Sequence, residues 1–213
     1  VEASRRASRR EAIVEATIEV VGRRGYSATT VSDLIAAAGV ARTTFYKHFA
    51  DKHECFLAAY DVAAERSLAA LEAGCAEGQP WRERVRSGLA SVVELLAEDP
   101  PLARVVVVEP ALAGIEGRHR QLAVLGRCAQ LLEGGREADE NGEGPRRNLP
   151  ETTGLMAAGA VAGLLFDEIQ ADRAGQLRDR LPDLLFALLV PYMEPGPAMA
   201  EARRAASYPA ASR

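Results

Sequence analysis

The 213 residues carry 48% hydrophobic side chains and a formal net charge of −4. That is apolar enough to bury a core, which excludes a disordered chain and a miniprotein held together by disulfides. The three cysteines, Cys55, Cys75 and Cys128, lie far apart without a CxxC pair, which suits a reducing cytoplasm. The charge is uneven: residues 1–53 hold nine Arg/Lys against six Asp/Glu, so a front of +3 precedes a remainder of −7. A basic front on an acidic protein can mark a nucleic-acid-binding segment.

The opening VEASRRASRREAIVEA has no apolar run of the secretory kind, and residues 1–7 are expected as a flexible arm. Ile13, Ala16, Val20 and Val21 then form the stripe of a first helix over about 8–24, stopped by Gly25. Thr30 stands as an N-cap before VSDLIAAA, with Asp33 in the place of a capping-box acid, and Gly39 ends this second helix. A third helix follows from Val40, and Asp51 can cap a fourth whose stripe Phe56, Tyr60, Ala63, Ser67 and Leu71 runs to about Gly74.

Helices are further expected over about 81–98, 101–109, 111–133, 151–172 and 175–192. Residues 134–150, GGREADENGEGPRRNLP, read as a mobile loop, and residues 194–213 as a flexible tail with little to bury. ARVVVVEP is the one β-like run and is taken as a short buried helix between its flanking prolines. The class is all-α. The longest uncharged stretch, TTGLMAAGAVAGLLF, is 15 residues where a bilayer needs about 20, so no membrane partner is expected.

Two short helices joined through Ala38-Gly39-Val40 make a helix-turn-helix, whose second helix enters the major groove. Its composition, VARTTFYKHF, then divides by task. Val40, Phe45 and Phe49 pack inward, while Arg42, Thr43 and Thr44 reach bases or phosphates. Tyr46, Lys47 and His48 follow on the outer side, where phosphate contacts set register. Lys52 adds a cation at the start of the fourth helix, and Thr30 completes the DNA-facing set.

The order GYSATTVSDLIAAAGVARTTFYKHFADKHECFLAAY, residues 25–60 behind an amphipathic helix, closely resembles the DNA-binding domain of the TetR family of transcriptional regulators. The resemblance rests on the glycine–aromatic pair after the first helix, Thr30-Val31, Ala38-Gly39-Val40, Phe45 to Phe49 and Asp51-Lys52. Departures are Ala41 for a frequent serine, Thr43 for a frequent glycine and His53 for a frequent glutamate. It implies a DNA-binding domain over 8–50 and a helical effector-binding and dimerisation domain over 51–193. The partners implied are a palindromic or near-palindromic double-stranded operator, a second copy of the chain, and a small effector that releases a repressor from DNA.

Within that frame the last two apolar helices supply the dimer face, through Leu155, Gly159, Ala162, Gly163, Phe166, Leu181, Leu184, Leu188 and Tyr192. An effector pocket is expected among Trp81, Val92, Leu96, Val105, Val108, Glu109, Leu122, Leu125, Met156 and Phe166. So apolar a lining suits a lipophilic or aromatic ligand, with Glu94, His119 and Gln121 as further polar contacts.

An enzyme is not expected, since GxSxG, HExxH and P-loop patterns are missing from the sequence. No cofactor or metal is expected either: His48, His53 and Cys55 fit no common zinc spacing. The alternative is a helical ligand-binding or thiol/redox-sensing protein with weak or lost DNA binding.

Overall fold

Every third or fourth residue of the first helix is apolar, and in the computed structural model that stripe is what the first unit is built on. The structure describes residues 2–75, 78–133 and 149–205. Helix α1 (Glu2–Arg24) buries Ile13, Val14, Thr17, Ile18 and Val21. Behind it come α2 (Val31–Ala38), α3 (Arg42–Tyr46), α4 (Lys52–Gly74), α5 (Trp81–Glu98) and α6 (Pro100–Val107). Then follow α7 (Glu109–Leu112), α8 (Ile115–Glu133), α9 (Thr153–Gln170), α10 (Leu177–Leu189) and α11 (Pro195–Ala205). Among the described residues there is no strand.

The chain divides into two compact units, and the division differs from the boundary expected at residue 50. The first unit takes the residues up to Arg66 together with Asp99–Gln121, so α6, α7 and the first turns of α8 belong with the helix-turn-helix. The reason is packing. Gly22 of α1 is so close to Pro101 of α6 that a Cβ on the glycine would fall onto the proline backbone. Leu34, Phe45, Phe49, Phe56 and Tyr60 complete this core, with the Tyr26 and Phe56 rings 4.9 Å apart.

The second unit takes Ser67–Glu98 and the described residues from Leu122 onward. Here α10 packs on α5, α9 and α11, burying Leu177, Leu181, Leu184, Leu185 and Leu189. The Trp81 ring meets that of Tyr192 at 5.5 Å, and its indole N–H donates to the Leu132 carbonyl at 2.9 Å.

The valine run is helical, as expected: Asp99 caps it by accepting from the Leu102 N–H at 3.0 Å, and the prolines occupy the first turn, where no N–H is needed. Other expectations change. Gly114, at φ 91°, separates α7 from α8, which had been read as one helix. The expected tail contains α11, since Ala198, Ala202 and Ala205 form a small apolar stripe that is buried despite its low hydrophobicity. Helical backbone also extends α1 back to Glu2, into the expected flexible arm. Of the expected mobile loop, residues 134–148 lie outside the described residues.

Gly22→Ala is expected to force α1 and α6 apart and to cost about 1–3 kcal/mol, as overpacking does. A denaturant melt of the variant beside the parent protein checks this; an unchanged midpoint would mean that the contact is looser than described.

Candidate nucleic-acid interface

The helix-turn-helix is held by local bonds at each end of α2. Thr30 caps it, its hydroxyl oxygen accepting from the Asp33 N–H at 3.3 Å while the Asp33 carboxylate accepts from the Thr30 N–H at 2.9 Å. The Thr30 hydroxyl also donates to Asp33 at 2.6 Å, so its proton is committed to the cap. These bonds, with Arg24 Nη1 2.8 Å from Asp33, hold the Asp33 carboxyl below its usual range. A lowered carboxyl pKa stabilises at neutral pH, and this contribution fades as acid protonates the group in its folded state. At the other end Gly39 sits at φ 62°, the left-handed corner that lets the chain turn into α3.

Helix α3 is five residues long and starts at Ala41 without a side-chain cap. Its place is fixed by Phe45 and Phe49, both buried, with rings 5.8 Å apart, while Val40 is half-buried. That burial turns the remaining side chains outward. Arg42, Thr43, Tyr46 and Lys47 are exposed, and Thr44 and His48 are half-buried. Arg42 donates to the Tyr46 hydroxyl at 3.3 Å and lies 5.5 Å from that ring's centre, so the guanidinium is oriented along the outer face.

Lys52 does something other than expected. Its ammonium donates to the carbonyls of Tyr26 and Thr29, each at 2.8 Å, and sits 4.2 Å over the Tyr26 ring. It ties down the turn between α1 and α2 and is not the outward cation anticipated for phosphate. Arg10, which sequence reasoning passed over, lies 5.2 Å over the Phe49 ring and is exposed. Its signal was available: Arg10 stands three residues before Ile13, so it continues the face of the stripe beyond the last buried residue and reaches the edge of the core at Phe49.

The expected effector residues fall in both units. Val105, Val108 and Glu109 are buried in the first unit, whereas Trp81 and Leu96 are buried in the second. Val92 and Leu125 are half-buried, and Leu122, Met156 and Phe166 are exposed. Glu109 is occupied, accepting from the Tyr26 N–H and from Arg104. Of the other polar candidates, Glu94 pairs with Arg178 at 2.6 Å and Gln121 donates to the Val107 carbonyl at 2.8 Å, while His119 is exposed.

The dimer candidates separate just as clearly. On α9, Leu155, Gly159, Gly163 and Phe166 are exposed, with Ala162 half-buried. On α10, Leu181 and Leu184 are inside their own unit, as is Tyr192 just beyond the helix, so as interface residues they are corrected; Leu188 is half-buried.

Thiol chemistry finds little support. Burial pushes the Cys55 and Cys128 thiols up to about 11 and raises that of Cys75. Such groups carry almost no thiolate near neutrality. Among the described residues no three His, Cys, Asp or Glu side chains converge as a metal site, and no helix is long and apolar enough to cross a membrane.

Residues 13–59 match the family model of bacterial regulatory proteins, tetR family. The fatty acid metabolism regulator protein of Bacillus subtilis (strain 168) is 26% identical over 122 residues, 57% of this chain and 63% of that protein. The chain thus spans less than two thirds of that relative's length. Among solved structures, FadR from Bacillus subtilis in complex with stearoyl-CoA superposes with a TM-score of 0.71 at 20% identity, covering 86% of this chain and 99% of that one. TylP, a tetR regulator from Streptomyces fradiae, superposes at 0.67 with 23% identity, covering 94% and 95%. At these identities the structures speak for the fold.

Lys52→Ala is expected to destabilise the protein by about 1–2 kcal/mol through two carbonyls left without their charged donor. The salt dependence of DNA binding should stay the same. A flatter salt slope with an unchanged melt would return Lys52 to the phosphate backbone.

Proposed function

We propose that the chain, whose residues 13–59 match the model of the tetR family of bacterial regulatory proteins, is a dimeric, sequence-specific transcriptional repressor that a small lipophilic effector releases from its operator. The observation that carries the DNA reading is the outer face of α3. A paired Arg42 and Tyr46, with Thr43 and Lys47 beside them, is exposed on a helix whose aromatics are buried beneath. In the major groove, Arg42 would bond guanine O6 and N7, and the Thr43 methyl would meet a thymine methyl. Lys47, His48 and Arg10 would bind the flanking phosphates and set the register. DNA reading places the protein's work in the cytoplasm, and catalysis has no part in the proposal.

One five-residue helix reads few base pairs, so a two-fold dimer on half-sites ~34 Å apart supplies the missing specificity. The exposed face of α9 suits that pairing, because a Cβ at Gly159 or Gly163 would meet nothing within 4 Å, which leaves room for a second helix to approach closely. Leu155 and Phe166 add apolar area at its edges. For the effector, the acyl class represented by stearoyl-CoA in the Bacillus subtilis structure is the first to try. It releases DNA only if it binds the non-reading conformation more tightly.

The test is fluorescence anisotropy on a duplex that the protein itself enriches from a random library, titrated with salt against a scrambled duplex. Tight, selective, salt-sensitive binding supports the proposal. Equal binding to both duplexes at every salt concentration would sink it. Arg42→Ala is expected to cost about 1–3 kcal/mol on the selected duplex and little on the scrambled one; an equal loss on both makes Arg42 a phosphate contact. Gly163→Arg fits the open side of α9, so the variant should keep its helix content yet sediment as a monomer. A variant that still sediments as a dimer would place the interface elsewhere.

A further inference from the structure

The turn that leads into the helix-turn-helix is gripped by two side chains of opposite sign. Within the turn, the Thr29 hydroxyl donates to the Gly25 carbonyl at 2.8 Å. Lys52 on α4 supplies the carbonyls of Tyr26 and Thr29 with a donor. The Tyr26 N–H donates to Glu109 Oε2 at 2.7 Å, across 83 residues of sequence. Glu109 opens α7 and is fully buried, and its other oxygen accepts from Arg104 Nε at 2.8 Å.

A carboxylate in that place needs a reason. Burying it is costly, and a buried ion pair is seldom more stable than a well-packed apolar pair. What the charge does provide is direction, because it accepts from one backbone N–H at one spot. Gly25 stands at φ 83°, and a Cβ on it would come 3.5 Å from Glu109 Oε1, so the carboxylate lies against the bare side of the glycine. Four residues beyond Tyr26 is Thr30, the cap of α2. The same α6–α7 segment also touches α1 through Pro101 at Gly22. It therefore holds both the last turns of α1 and the turn that follows.

We propose that Glu109 is a positioning residue for operator recognition: with Arg104 behind it, it fixes the Tyr26 amide and so the angle at which α2 and α3 meet DNA. Displacing α7 then lowers the selectivity for operator over other DNA while leaving general phosphate contacts in place. This rests on the DNA-regulator reading above, and it names a control point that neither the recognition helix nor the dimer face contains.

The test uses the full chain, the self-selected duplex and its scrambled control, with Glu109→Gln and Arg104→Gln beside the parent. Arg104 is partly exposed, and a glutamine there removes the charge while keeping an N–H donor for the carboxylate. Glu109→Gln is expected to lose about tenfold in affinity for the selected duplex, a typical size for coupling between sites. Binding to the scrambled duplex and its salt slope should be unchanged, and the Tyr26 amide should exchange with solvent about tenfold faster. Arg104→Gln should shift the same readouts in the same direction by less, and it decides the matter if Glu109→Gln does not fold. A merely structural role predicts a lower melting temperature with an unchanged ratio between the two duplexes, and that result in the folded variants overturns the proposal. A parent protein that prefers neither duplex overturns the functional reading instead, and amide exchange at Tyr26, which needs no DNA, still reports whether Glu109 holds the turn.

Discussion

A five-residue helix cannot hold itself together. Nucleation costs more than one turn of hydrogen bonds returns, and isolated helices of fewer than about a dozen residues are marginal in water. Helix α3 has five residues and no side-chain cap, so it exists because Phe45 and Phe49 are buried beneath it. Much of the first unit can be understood as the means of keeping that burial in place. The α1 stripe forms the floor, Gly39 makes the corner, and α6 presses on α1 at Gly22. Rigidity on the inner side is what makes the outer side useful, since base reading requires donors held in one orientation.

What could be read from the chain was what depends on neighbours in sequence. The Thr30–Asp33 capping box, the glycine corner and the first and fifth helices are set by residues a few positions apart, and their signals survive in any tertiary setting. Lys52 was misassigned because its partners, Tyr26 and Thr29, are over twenty residues away and are backbone carbonyls, which leave no trace in side-chain pattern. Glu109 was assigned to a ligand for the same reason: only the fold shows that the Tyr26 amide and Arg104 already fill it. The α11 helix was missed because alanines spaced along one face bury well yet score as weakly apolar.

The division of α9 from α10 shows a different limit. Both helices are rich in leucine at helical spacing, and periodicity reveals an apolar face without saying what covers it. In α10 the face carrying Leu181, Leu184 and Leu185 is covered within its own unit. In α9 the inner residues Ala157, Val161, Leu165 and Ile169 are buried, which leaves Leu155, Gly159, Gly163 and Phe166 exposed. Small residues flanked by larger ones let backbones approach while keeping apolar area at the rim, so the exposed face of α9 is better suited to pairing than that of α10.

Counting basic residues overstates what the first unit offers to DNA. Arg24 is paired with Asp33, Arg66 with Glu15, Arg104 with Glu109, and Lys52 is committed to backbone carbonyls. Those cations hold turns and helix ends, and phosphate contacts would require breaking bonds already made. Among the described side chains of α1 and α3, the exposed Arg9, Arg10, Arg42 and Lys47 form an outward group. A five-residue recognition helix reads few base pairs, so in the proposed dimer affinity comes from two subunits reading together. In such a system, control needs only a change in how the two heads are presented, with no loss of any single contact.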